Sequence, residues 1–144
     1  MATATSQELR TRREAVVQAH LQAEAVDHNI AATVATFNKP RYEVPAVGAI
    51  VDGAEAVHAF VEQVLSAFPD LWVRQLSLHH ADEAVIVEGK FGGTQRGIWA
   101  GIAPTWKKAE VECVLIFMFE GSDLVCEKVY FDNATILHQL GALA

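Results

Sequence analysis

The sequence predicts an α+β domain, with helices packed on one face of a mostly antiparallel sheet. Three observations carry that prediction. Apolar residues recur at helical spacing through the first half of the chain, and from Leu71 onward the period changes to two. The helices also come first and the long strands afterwards, rather than alternating as βαβ units would. A length of 144 residues suits one domain, residues 1–144, with residues 1–5 read as a flexible tail.

The first helix begins where Thr5 and Glu8 stand at capping-box spacing. Leu9, Val16, Val17, Leu21 and Ala25 carry its apolar stripe to about Val26. Asp27 is placed to cap a second, short helix that carries His28, Ile30, Ala31, Val34 and Phe37. Asn38-Lys39-Pro40 stops it, because proline disfavours helix in the residue before it. The run RYEVPAVGAIVDG, broken by Pro45 and Gly48, reads as a short hairpin or irregular strand pair. Asp52 and Glu55 repeat the capping spacing ahead of a third helix, whose stripe runs from Val57 through Phe60, Val61, Val64 and Leu65 to Phe68. Pro69 ends it.

Four strands follow: LWVRQLSLHH, EAVIVEGKFGG, KKAEVECVLIFMFE and DLVCEKVYF. The separators are a turn at Ala81-Asp82, a Gly- and Pro-rich loop from Gly92 to Thr105, and a turn at Glu120-Gly121-Ser122-Asp123. The closing FDNATILHQLGALA reads as a helix that Asp132 can open as N-cap.

Composition narrows the function. With 51% hydrophobic residues and 20% charged ones the chain can bury a core. A net charge of −7 repels phosphate backbones and anionic headgroups, so neither nucleic acid nor a membrane is an expected partner. Two cysteines in apolar stretches read as buried thiols. The N-terminus lacks the apolar core of a signal peptide, and Val114 to Phe119 is too short to span a bilayer, so the expected location is cytoplasmic. No HExxH, CxxC, GxSxG or P-loop appears, and no closely spaced His/carboxylate pair on one helix face is picked out. A dedicated metal site is therefore not expected.

Polar residues amid apolar surroundings remain as candidates. Asp132 stands at a strand-to-helix corner behind Val129, Tyr130 and Phe131, where desolvation would suit a general acid or base. The plainer reading is a helix N-cap. His28, with Ala31 and Ala35 on its face, has room to point into a cavity or to lie on the surface. Tyr42, Trp99, Trp106 and Tyr130 can line a pocket for a flat hydrophobic ligand or simply pack the core. Of Gln95 and Arg96, alternation lets only one face inward. Lys128 shares the parity of Tyr130 and Asp132, so its stem can run along a cavity wall, or the side chain can be solvated.

The runs AFPDLWV, GGTQRG and IAPTWKKAEVECVLIFMFEGSDLVCEKVYFD, with the closing QLG, resemble the SnoaL-like polyketide cyclase family. That family lies within the nuclear transport factor 2-like superfamily, and the resemblance spans about Val16 to Gly141. It implies a cone-shaped barrel, a strongly curved sheet wrapped around the N-terminal helices, with a deep apolar pocket and a homodimer built through the sheet. It also implies that Asp132 is the general acid/base, that His28 assists it, and that no cofactor is needed. The expected reaction is an intramolecular aldol-type ring closure on a small hydrophobic carbonyl compound, polycyclic ones included. Gln95, Tyr42, Trp99, Trp106, Lys128 and Tyr130 would contact that substrate. Two departures stand out: Gln95 replaces the histidine of a frequent Gly-Thr-His-x-Gly stretch, and Lys128 stands where relatives often have tryptophan. Glutamine can donate a hydrogen bond to a carbonyl but cannot transfer a proton near neutral pH. The alternatives are a dehydratase or isomerase on the same scaffold, or a non-catalytic small-molecule-binding dimeric module. Epoxide hydrolysis is disfavoured, because only Asp132 of the Asp-Arg-Asp set it needs has a counterpart.

Overall fold

The computed structural model describes residues 6–143. Helix α1 (Ser6–Ala25) and the short α2 (Ile30–Ala35) open the chain. Strands β1 (Arg41–Val44) and β2 (Ala49–Asp52) follow as a hairpin around a one-turn 3-10 segment, Pro45–Val47. Then come α3 (Ala54–Ala67), the strands β3 (Trp72–His80), β4 (Ala84–Thr94), β5 (Lys108–Glu120) and β6 (Asp123–Phe131), and a closing α4 (Asn133–Gln139). The four long strands fall within a residue or so of their sequence-predicted bounds.

The six strands form one sheet in the order β2-β1-β6-β5-β4-β3. Every neighbouring pair is antiparallel except β1 and β6, which run parallel with Tyr42 opposite Glu127. The sheet is a curled cone rather than a closed barrel. Register shifts at Gln75/Ser77 and at Met118/Phe119 bend its long strands. β5 shows how one face is buried, alternating without a break from Ala109 through Val111, Cys113, Leu115 and Phe117 to Phe119. Those residues meet Val57, Val61 and Leu65 of α3 and Val17 of α1 to make the core. No helix among the described residues is long and apolar enough to cross a membrane.

Helix boundaries differ from expectation where capping decides them. Asn29, not Asp27, caps α2, its side chain accepting from Ala32 N at 2.9 Å. His28 therefore lies in the α1–α2 connection and not on the helix. Gly53 opens α3 without a side-chain cap, so Asp52 forms no capping box and instead approaches Arg41. The Thr5–Glu8 box and the tail at residues 1–5 lie outside the described residues. β4 runs through Gly92 and Gly93 to Thr94, one residue past the expected end of the strand. A Cβ on Gly92 would stand 2.4 Å from Ala109 O, so only glycine lets β5 approach there.

α1 is fastened to the far end of the sheet by Arg13, which is buried although charged. Its Nε donates to Gly121 O at 2.7 Å, its Nη1 donates to Asp82 O at 2.9 Å, and the guanidinium lies over Phe119. One planar fork thus satisfies carbonyls of two hairpin turns. Arg13→Ala should cost about 3 kcal/mol, because it orphans both carbonyls, and Arg13→Lys should recover only part of that. Thermal or urea unfolding of the two variants measures both effects.

Candidate active site

Between α1, α3 and the concave face of the sheet lies a narrow cavity of about 70 Å³. Its walls are mainly apolar, with Phe60, Phe68, Phe91, Trp99 and Phe131 interleaved with aliphatic residues such as Leu115. Phe68 meets Trp99 edge-on at 5.2 Å, and Phe91 meets Phe131 at 5.0 Å, so the rings hold one another in place. Polar groups reach this space at one end only, through Glu24, Tyr42 and Glu127.

These belong to a buried cluster centred on His20, which has no solvent exposure. His20 and Glu24 stand four apart on α1 and so share a helix face. Glu127 comes from β6, and Tyr42 from β1 directly opposite it. His20 Nε2 is 2.9 Å from Glu127 Oε1, 3.1 Å from Glu24 Oε2 and 3.0 Å from the Tyr42 hydroxyl. Tyr42 donates its proton to Glu24 Oε2. On the other side of the ring, Nδ1 lies 2.7 Å from Thr36 Oγ1, whose own proton goes to Thr33 O. A hydroxyl has one proton to give, so towards His20 it accepts, and Nδ1 carries a hydrogen in every protonation state.

Charge is distributed unevenly among these groups. Burial works against a charged His20, but Glu127 and then Glu24 outweigh it and push the imidazole from 6.5 up to about 10. Burial also tends to raise Glu24, yet its bonds to His20 and Tyr42 hold it below the usual carboxylate range. Glu127 moves the other way: burial raises it, the nearby Glu24 adds to the rise, and His20 only partly offsets them. The two neighbouring carboxylates thus part company, one held ionised and the other drawn towards its protonated form. Burial, then Glu24, also lifts the Tyr42 phenol well above its ordinary value.

Glu127 Oε1 is unusual in another respect. It is close enough to His20 for ionic attraction, yet it has no hydrogen-bond partner. The ring nitrogen is aligned on the Tyr42 oxygen instead. His20, Glu24 and Glu127 offer ligand atoms within 4.8 Å of one another, the donor types of a divalent-cation site. Because the in-plane direction of Nε2 points at Tyr42 rather than between the carboxylates, we read the cluster as held by protons.

The expected site residues are scattered relative to this cavity. Tyr42 and Trp99 line it, Trp99 donating from Nε1 to Asn133 Oδ1 at 2.9 Å. Asp132 does not. It is an exposed N-cap of α4, its carboxylate accepting from Ala134 N at 3.1 Å and from Thr135 Oγ1 at 2.8 Å. Lys128 and Tyr130 share its parity and correct the expectation of a cavity wall: strand alternation puts Glu127, Val129 and Phe131 inside and turns these two to the outer face. His28 is exposed, its Nε2 2.8 Å from Leu71 O, and Trp106 is 65% exposed with Arg96 stacked over it.

Gln95 is fully buried but faces its own loop, not the cavity. Its Nε2 donates to Gly97 O and Ile102 O at 3.1 and 2.9 Å, with Ala103 O also within 3.2 Å. Its Oε1 accepts from Thr105 N at 3.1 Å and Thr105 Oγ1 at 2.7 Å. Every polar atom of the amide is spent on shaping the loop that carries Trp99.

His20, Glu24 and Glu127 were missed from the sequence. The signal was present as histidine and glutamate four apart on a helix, which contradicts the expectation that no such pair exists. Among the many charges of α1, nothing in the sequence singles that pair out as buried.

The profile of the SnoaL-like polyketide cyclase family matches residues 13–140. A search of curated proteins gives no match. Among solved structures, a protein from Jannaschia sp. described as a SnoaL-like polyketide cyclase superposes with a TM-score of 0.83 at 18% identity, covering 100% of both chains. TsrD from Streptomyces laurentii gives 0.79 at 22% identity, over 93% of this chain and 98% of that one. AclR from Streptomyces galilaeus, described as a hydroxylase, gives 0.76 at 20% identity, over 92% and 83%.

His20 makes stability pH-dependent in a defined direction. A pKa raised in the fold means that its contribution is complete below pH 6.5 and is lost as pH rises through about 10. Melting temperature should therefore fall across that window. In Glu127→Gln, which removes the strongest of the interactions that raise it, the fall should begin at lower pH. Melting curves between pH 6 and 10.5 measure both, and a midpoint that Glu127→Gln does not move contradicts the assignment. With the family profile matching residues 13–140, nearly the whole chain, this protein belongs to the SnoaL-like polyketide cyclase family.

Proposed function

We propose that the protein is an acid–base enzyme that moves a proton at carbon beside a carbonyl, with Glu127 as the group that takes and returns it. The observation that carries this reading is the buried Glu127 carboxylate at the polar end of an otherwise apolar cavity, its Oε1 2.9 Å from His20 but without an aligned hydrogen bond. A carboxylate raised by burial is a stronger base once ionised than one in water, and in a dry site it needs no solvent shell stripped away. The family and the neighbours described as cyclase and hydroxylase support an enzyme on this scaffold.

The chemistry balances within the site. Glu127 removes the proton from the carbon next to the carbonyl, and the C–H electron pair passes to the oxygen as an enolate. His20 is the cation of the cluster, so negative charge on that oxygen is stabilised when it lies towards Tyr42 and His20. In ring closure the enolate carbon attacks a second carbonyl of the same molecule. A C–C bond forms, the second C=O becomes an alkoxide, and Glu127 returns its proton there. Glu24, kept ionised and hydrogen-bonded to Tyr42, holds the imidazole charge in place throughout.

Hydrogen exchange at carbon tests this without knowledge of the natural substrate. In deuterium oxide the protein should speed the loss of the α-hydrogen signals of methyl ethyl ketone, followed by proton NMR. The rate should rise as pH passes upward through a Glu127 pKa above 4.5. Glu127→Gln keeps the shape and removes the titrating oxygen, so exchange should drop by about 10²- to 10⁴-fold. Undiminished exchange in that variant, or none in the wild type, sinks the proposal.

A further inference from the structure

An open groove runs along the other side of the cavity wall. It lies between α3 and the β1–β2 hairpin, has a volume of about 490 Å³, and is floored by Val47, Ala49 and Val51 of the hairpin side and Ala56 and Ala59 of α3. Val44, Phe60, Val64 and Trp99 line both spaces. Two of these, Phe60 and Val64, are only half-buried, and they sit between the core face of α3 (Val57, Val61, Leu65) and its groove face.

We propose that this groove is the second half of the substrate site. It takes the neutral hydrocarbon tail, alkyl or aryl, of a molecule whose carbonyl head lies at Glu127. The proposal rests on the preceding reading only for which end of the molecule points inward. The first argument is size. A cavity of about 70 Å³ is roughly half the ~150 Å³ that encloses benzene, so it holds a head of a few atoms and the remainder must lie elsewhere. The second is continuity: Val44, Phe60, Val64 and Trp99 line both the cavity and the groove, so only their side chains separate the two spaces. The third is charge. Although the chain carries −7 overall, no charged residue lines the groove, and its one polar side chain is the neutral Gln63. An anionic tail would find no cation there, whereas a neutral one loses only water. Ile98, 61% exposed beside the groove, extends the apolar surface past Trp99.

Methyl ketones of increasing chain length, from methyl ethyl to methyl nonyl, are the probes, with binding measured by calorimetry. Once the chain outgrows the cavity, each added methylene should tighten binding about fourfold until the groove is filled. Ala59→Glu puts a carboxylate into the groove at an exposed helix position, where a melt like that of the wild type shows that it folds. It should weaken binding of methyl nonyl ketone by about tenfold or more. Glu127→Gln separates the two readings: the chain-length gain should persist there even as α-hydrogen exchange is lost. Affinity that stays flat along the series in the wild type, or Ala59→Glu binding the longest ketone as the wild type does, overturns the groove. So does a wild-type dimer that Ala59→Glu converts to monomer in sedimentation without any change in ketone binding, since the groove is then an interface between copies.

Discussion

A positively charged imidazole buried between two carboxylates is the constraint on which the interior of this protein depends. Taking each such charge out of water costs several kcal/mol, and attraction repays it only if geometry and hydrogen bonds are well matched. That match draws on four elements at once. α1 supplies His20 and Glu24, α2 ends on the Thr36 hydroxyl that receives Nδ1–H, and β6 supplies Glu127. β1 supplies Tyr42 through the sheet's one parallel pairing, which sets it directly opposite Glu127. The short hairpin thus has a role beyond extending the sheet. Joined to β6 in the other direction, it would not bring the phenol to the same side at the same level.

Around this polar knot everything is apolar, and the contrast gives it chemical interest. A low-dielectric wall strengthens each charge interaction and raises the proton affinity of Glu127, which His20 only partly offsets. The wall depends in turn on the loop between β4 and β5, where Trp99 sits. An irregular segment there leaves backbone carbonyls and amides unpaired, and Gln95 answers them with both ends of its amide. Asp70 closes the neighbouring corner, accepting from Thr94 N and Thr94 Oγ1. Gln95, where the resemblance leads one to expect histidine, is thus a residue whose two-ended hydrogen bonding suits loop architecture.

Much of the fold was legible because hydrophobic period reports burial directly. β5 alternates without a fault over thirteen residues, and α3 repeats its apolar positions at helical spacing, so both could be placed to within a residue or two. Caps were less legible, since several oxygen-bearing side chains near a helix start can compete. Asn29 outcompeted Asp27, and Gly53 made the box at Asp52 unnecessary. The polar cluster was the hardest to see. α1 carries charged residues on nearly every side, so its buried histidine and glutamate look like two more solvated ones. Only the approach of β1 and β6 distinguishes them, and that is a long-range fact absent from local pattern.

The last strand shows why a conspicuous sequence run can draw attention away from the residues that face the cavity. Glu127 and Asp132 are five residues apart, an odd separation, so in an uninterrupted strand their side chains lie on opposite faces. Tyr130-Phe131-Asp132 is the more conspicuous run, and aromatic residues beside an acid look like a desolvated site. Yet the parity that matters belongs to Val129 and Phe131, which line the cavity together with Glu127. Asp132, at the end of the strand, has backbone N–H groups of a new helix within reach and binds them. A carboxylate so engaged has its oxygens committed to the helix end, whereas Glu127 Oε1 lies beside His20 at the edge of an apolar space. Which carboxylate faces the cavity is decided by strand parity, not by the aromatics beside it in sequence.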